Sequence, residues 1–177
     1  GAEEGAHDTG YHLLIYGAPD STGGAQDQML GLLATKVDGL ILANPSISAA
    51  YIRELQRRQI PVVMLGREPE EVSIDSIQPD NVGGAIKAVT HLIEHGYRRI
   101  AMITGPGTRS HAGDREAGYR RALRDHGLTC NPDLITAGAF DESSGYAAMK
   151  RLLRQRPRPE AVFAASDQMA IGAKAAL

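Results

Sequence analysis

Side chains able to grip a ligand fall in a few short clusters: Asp20-Ser21, Asn44-Pro45-Ser46, Arg67, Arg109-Ser110-His111, Arg115, Phe140-Asp141-Glu142 and Ser166-Asp167. Together they offer hydroxyls, amides, carboxylates, arginines and one aromatic ring. Charged and amide forks bind paired hydroxyls, and a ring packs on the apolar face of a sugar or a base, so the set suits a small polar ligand. Solvated loops and helix caps call for many of the same residue types. Arg115 and Phe140 stand out from that background. The pattern puts Arg115 in the first turn of a helix, where a cation opposes the helix dipole. Phe140 sits at a polar strand exit, where it would expose apolar surface.

Motifs for catalysis or metal binding fail on inspection. His91-Leu92-Ile93-Glu94-His95 has the H-x-x-E-H spacing of one zinc-peptidase class. On a helical wheel, however, Val82, Ile86, Val89 and Ile93 form the apolar stripe, and both histidines fall opposite it on a solvated face. Gly105-Pro106-Gly107 lacks the third glycine of a dinucleotide turn, no Lys-Ser/Thr pair completes a phosphate loop, and no G-x-S-x-G elbow occurs. A single cysteine, Cys130 in a turn-rich connection, excludes an internal disulfide and fits a reducing, cytoplasmic compartment. The run Lys150, Arg151, Arg154, Arg156 and Arg158 crowds a helix C-terminus, where cations favour the dipole, and has no interleaved aromatics. The expectation is a binding protein and not an enzyme, with no metal and no cofactor.

Short apolar runs separated by helical patterns must position these side chains. The runs are Tyr11–Tyr16, Val37–Ala43, Pro61–Leu65, Ile100–Ile103 and Ala161–Ala165, with weaker ones at Val72–Ile77 and Leu134–Ala139. They are near-continuous rather than alternating, as in strands covered on both faces. Helical patterns span Ala25–Thr35, Ser48–Arg58, Val82–His95, Arg115–His126, Ser144–Arg154 and Gln168–Leu177, and Gly1–Thr9 reads as the last turns of another helix. Ser48, Asp80 or Asn81, Asp114 and Asp167 are candidate N-caps, and Gly96 and Gly127 candidate C-caps. Alternation at this spacing predicts an α/β fold with parallel sheets and helices on both faces. A long loop, Thr104–Asp114, is expected before the helix at Arg115. The clusters then fall at the carboxyl ends of strands, where open α/β sheets bind ligands. A division near Asp80 separates two runs of βα units; one seven-stranded sheet is the alternative.

Composition sets outer bounds. The chain has 177 residues, 42% hydrophobic and 23% charged, with net charge −2. These ordinary fractions exclude a disordered or collagen-like chain. A near-neutral balance gives no electrostatic footprint for nucleic acid. No apolar run approaches the roughly 20 residues of a membrane span, so no membrane partner is expected.

A series of stretches resembles the effector-binding core of the lactose-repressor (LacI-type) family of bacterial transcription regulators. They are Lys36–Leu42, Ile60–Arg67, Asp80–Ala85, His91–Ala101, Asp114–Arg120 and Ser166–Ala173, in family order over nearly the whole chain. The resemblance implies a two-lobe, type I periplasmic-binding-protein-like fold with the ligand between lobes, and a homodimer. Residues 1–80 would form the N-terminal lobe without its first strand. Residues 81–177 would form the C-terminal lobe without its final strands, so the fold is expected to be incomplete at both ends. The headpiece that holds operator DNA would lie outside the chain. The implied effector is a sugar or sugar phosphate, or alternatively a nucleobase. By position, Arg115 resembles the family's main ligand arginine and Phe140 its stacking aromatic. Ser166, Asp167, Arg109, His111, Asp20 and Ser21 would add polar contacts, and Asp80 and Asn81 would mark the hinge. A sugar-binding protein of a transport system shares this architecture and is the alternative.

Overall fold

The computed structural model describes residues 1–15, 37–43, 47–66, 71–107 and 110–177. The expected helix Ala25–Thr35 and the site candidates Asp20, Ser21 and Arg109 lie outside the described residues. The described chain forms two compact units, Gly1–Ser76 and Ile77–Leu177.

In the first unit, helix α1 (Ala2–Asp8) is followed by residues 11–15, which the structure does not assign to a strand, although one was expected over Tyr11–Tyr16. Strands β1 (Leu40–Leu42), β2 (Val62–Leu65) and β3 (Asp75–Ile77) form a sheet in that order, and β1 and β2 pair in parallel. Helix α2 (Ala49–Arg57) starts where Ser48 caps it by accepting from the Tyr51 amide. Its Tyr51, Ile52 and Leu55 pack with Leu42, Ile47 and Met64 into a small core.

The second unit holds the larger core. Helix α3 (Asn81–Glu94), strand β4 (Ile100–Thr104), helix α4 (Ser110–Asp125), strand β5 (Ile135–Ala137), helix α5 (Glu142–Leu152), strand β6 (Ala161–Ala164) and helix α6 (Asp167–Ala175) follow one another. The sheet order is β5-β4-β6, parallel throughout. Among the described residues the strands form two three-stranded sheets rather than one seven-stranded sheet. All five residues of β4 are buried, as its unbroken apolar run requires of a strand covered on both faces. Gly96 and Gly127 follow α3 and α4 with φ of 91° and 68°, values that a Cβ would disfavour.

Two helix starts differ from expectation. Helix α4 begins at Ser110, not Arg115, because Ala112, at 1% exposure, already joins the buried face. Asp114 is consequently inside the helix rather than at its start, and Arg115 stands in the second turn. Helix α6 is capped by Ser166, whose hydroxyl accepts from the Met169 amide, rather than by Asp167.

Helices pack closely where glycine removes a side chain. A Cβ on Gly118 of α4 would collide with the Val82 carbonyl oxygen and lie 2.7 Å from the Ala85 methyl carbon on α3. Gly145 of α5 likewise lies against the Met169 backbone, and Gly172 of α6 against that of Glu142. The first of these contacts matters for the site, since it draws the start of α3 onto the face of α4 that carries Arg115.

Candidate functional site

β4 lies in the middle of its sheet, and open parallel α/β sheets bind ligands outside the carboxyl ends of their strands. There the Ala165 amide donates to the Ile103 carbonyl, and the Gly138 amide to that of Thr104, keeping the strand ends level. A cavity of about 480 Å³ opens beside the end of β6. Its walls come from the start of α3 (Asp80, Asn81), from Arg115 on α4, and from Phe163, Ser166 and Asp167 around the end of β6. The volume falls within the range of small-molecule sites, roughly 300–1,000 Å³.

Arg115 is the cavity's cation. Its Nε donates to Asn81 Oδ1 at 2.9 Å, and its Nη1 donates to the carbonyl of Ala165. Among the described residues both acceptors are neutral, so the guanidinium is oriented without a neutralising carboxylate. Among the described residues neither contact uses Nη2, whose two protons can serve an acceptor on a ligand. Asn81 is itself buried, at 9% exposure, and its Nδ2 lies 3.1 Å from His111 Nδ1. His111 and Arg115 are four residues apart on α4 and share one face of it. Asp80 is exposed and caps α3, its Oδ1 accepting from the Gly83 amide at 2.7 Å.

Phe140 lies elsewhere. Its ring occupies the space a side chain on Gly105 would fill, packs against the core, and is not part of the cavity wall. Its φ of 66° turns the chain so that the ring folds inward rather than out to solvent. The aromatic ring in the cavity wall is Phe163, on β6. The structure thus brings together Arg115, Ser166 and Asp167 of the expected set, with Asp80 and Asn81 from the expected hinge. His111 touches the group through Asn81.

Asn81 and Phe163 were the residues whose part in the cavity the sequence did not announce. Phe163 reads as one more member of an apolar strand, and only its position at the last turn of the sheet edge distinguishes it. For Asn81 a weak signal existed: a short polar residue next to the capping Asp80, at the start of a helix with an apolar stripe.

Two carboxylates outside the cavity wall are tuned by hydrogen-bond donors. Asp141, the N-cap of α5, is held below the usual carboxylate range first by the Ser144 amide and then by the Ser143 hydroxyl. Glu160, just before β6, is lowered by the amides of Arg99 and Arg98, which it accepts at 2.8 and 2.7 Å. Both serve the frame. Among the described residues, no group of three or more His, Cys, Asp or Glu side chains is arranged to hold a metal ion, and no helix is long and apolar enough to cross a membrane.

Comparison with known proteins gives a consistent picture. The profile of a family described as "Periplasmic binding proteins and sugar binding domain of LacI family" matches residues 1–177. The ribose operon repressor of Escherichia coli (strain K12) is 33% identical over 179 residues, covering 100% of this chain and 54% of the repressor. Among solved structures, a regulatory protein of the LacI family from Chloroflexus aggregans superposes with a TM-score of 0.86 at 28% identity, over 98% of this chain and 63% of that one. A transcriptional regulator CelR–cellobiose complex gives a TM-score of 0.83 at 35% identity, over 97% of this chain and 53% of that one. The chain spans about half the length of the curated relatives it matches.

Proposed function

The chain belongs to the family of periplasmic binding proteins and LacI-type sugar-binding domains, and from that premise we propose that it is the effector-binding core of a bacterial transcription regulator. Its effector is a small polar metabolite, a sugar in the first instance. The observation that carries this reading is the set orientation of Arg115: two protons tied to neutral acceptors, and Nη2 left to a cavity of small-molecule size. A guanidinium so fixed engages adjacent ligand oxygens with little further loss of conformational entropy. Ser166 and Asp167 add a hydroxyl and a carboxylate, and Phe163 offers an apolar face. The relatives compared above are regulators, which favours this reading over a transport protein of the same fold.

In the whole regulator, a cytoplasmic homodimer holding operator DNA through a separate headpiece, the effector acts by shifting populations. It favours one arrangement over another only by its differential affinity for the two, typically about 1–3 kcal/mol of coupling. No step of chemistry is required of the protein.

A thermal-shift screen of the full-length protein against sugars, ribose and cellobiose included, and against purines tests the proposal. A ligand present at 100 times its Kd stabilises the fold by about 2.7 kcal/mol. Arg115→Ala is expected to keep the unliganded melting point within a few degrees and to lose the ligand-induced shift. Calorimetry giving unchanged affinity for that variant would refute the assignment of Arg115.

A further inference from the structure

We infer that Asn81 is the positioning residue of the cavity, and that it locks His111 in the tautomer with its proton on Nε2. This deepens the reading of Arg115 as the ligand-binding arginine and rests on it. The argument is one of hydrogen-bond polarity. Arg115 Nε carries a proton and can only donate, so the Asn81 atom 2.9 Å from it must be the amide oxygen. The other end of the amide is then the NH2 group, which can only donate. His111 Nδ1, 3.1 Å from it, must therefore accept, and the ring's single proton stands on Nε2. A flipped amide would set N–H against N–H at Arg115, where no change of tautomer could relieve it.

Few side chains satisfy both neighbours. Aspartate offers two acceptors and no donor. Leucine offers neither. Alanine leaves the half-buried Nε proton and the imidazole lone pair without that partner. Asn81 reaches both because it opens α3 at the point where Gly118 lets that helix approach α4, and because His111 and Arg115 are one turn apart on the facing surface. With Nε bound to Asn81 and Nη1 to Ala165, the guanidinium plane is fixed by two contacts from different elements. The direction in which Nη2 points is thus decided by Asn81 before any ligand arrives. What the site demands of its ligand is an acceptor oxygen at that point.

The test needs no ligand, so its outcome is separable from whether a sugar binds. Two-bond 1H–15N correlation spectra of the full-length protein report the protonation pattern of each histidine ring. The Nε2–H pattern is expected for His111, together with an Arg115 Nε–H signal that exchanges slowly with water. Asn81→Asp keeps the acceptor for Arg115 but replaces the donor to His111, so the His111 proton is expected on Nδ1 while the Arg115 signal persists. Asn81→Ala is expected to lose the slow exchange at Arg115. A proton on Nδ1 of His111 in the parent chain overturns the inference, as does an unchanged His111 pattern in Asn81→Asp. The parent-chain measurement stands even where a variant fails to fold.

Discussion

Replacing Gly118 by alanine would separate helix propensity from helix packing and would carry a consequence into the site. In an isolated helix the change is favourable by about 1 kcal/mol, because alanine restricts the unfolded chain. Here the added methyl group would collide with the Val82 carbonyl oxygen and lie 2.7 Å from the Ala85 methyl carbon. Neither is the end of a flexible side chain, so α3 and α4 must move apart. Overpacking of this kind costs about 1–3 kcal/mol, and more where backbone is the obstacle. Taking the upper end and subtracting the propensity gain leaves about 2 kcal/mol of destabilisation. For a unit of roughly 100 residues, each kcal/mol lowers the melting point by about 4–8 °C, so a fall of about 8–16 °C is expected. Circular dichroism during heating measures it, and the Arg115 Nε–H signal should lose protection from exchange as Asn81 withdraws. A variant as stable as the parent, with that signal unchanged, would refute the claim that Gly118 sets the spacing of the two helices.

Two further changes probe the frame. Tyr119 is fully buried, and its hydroxyl donates to the Ile100 carbonyl at 2.9 Å, while burial pushes its ionisation far above the ordinary tyrosine value. Tyr119→Phe leaves that carbonyl short of a partner and is expected to cost about 1–2 kcal/mol, seen as a lower urea midpoint with an unchanged slope. Glu160 titrates below its ordinary value because the Arg99 and Arg98 amides favour its charged form. A depressed carboxylate contributes stability that is full above the unfolded-state value, about 4.3, and is lost as pH falls through the lower folded-state value. Glu160→Gln should therefore lower stability at neutral pH and flatten its decline below about pH 4.3, as followed by denaturation at a series of pH values.

Much of the fold could be read in the chain, for reasons that particular residues make plain. Ile100–Ile103 is apolar at every position because β4 is covered on both faces, and Gly96 and Gly127 mark helix ends because the chain turns there with positive φ. The start of α4 was harder to see. Ser110-His111-Ala112-Gly113-Asp114 carries only one small apolar side chain, too little to extend the helical pattern, although Ala112 is buried. Ser166 was read as a ligand contact, and it is also the cap of α6, two uses of a hydroxyl that local sequence does not separate.

The site was legible in part. Arg115, Ser166 and Asp167 meet at one cavity, as residues at the carboxyl end of a parallel sheet should. Phe140 misleads because an aromatic at a strand exit looks exposed, whereas a side-chain-free Gly105 on a neighbouring strand exit receives its ring. That partnership spans 35 residues of sequence and leaves no periodic trace. Asn81 is hidden for the same reason: its donors and acceptors are satisfied by Arg115 and His111, 34 and 30 residues away.

The account turns on where a ligand sits. A crystal structure of the full-length protein with whichever sugar or purine raises its melting point most would locate it directly. The expected result is a ligand oxygen within hydrogen-bonding distance of Arg115 Nη2, with Asn81 still holding Nε. A ligand bound elsewhere, with the Arg115 cavity left to solvent, would contradict the account.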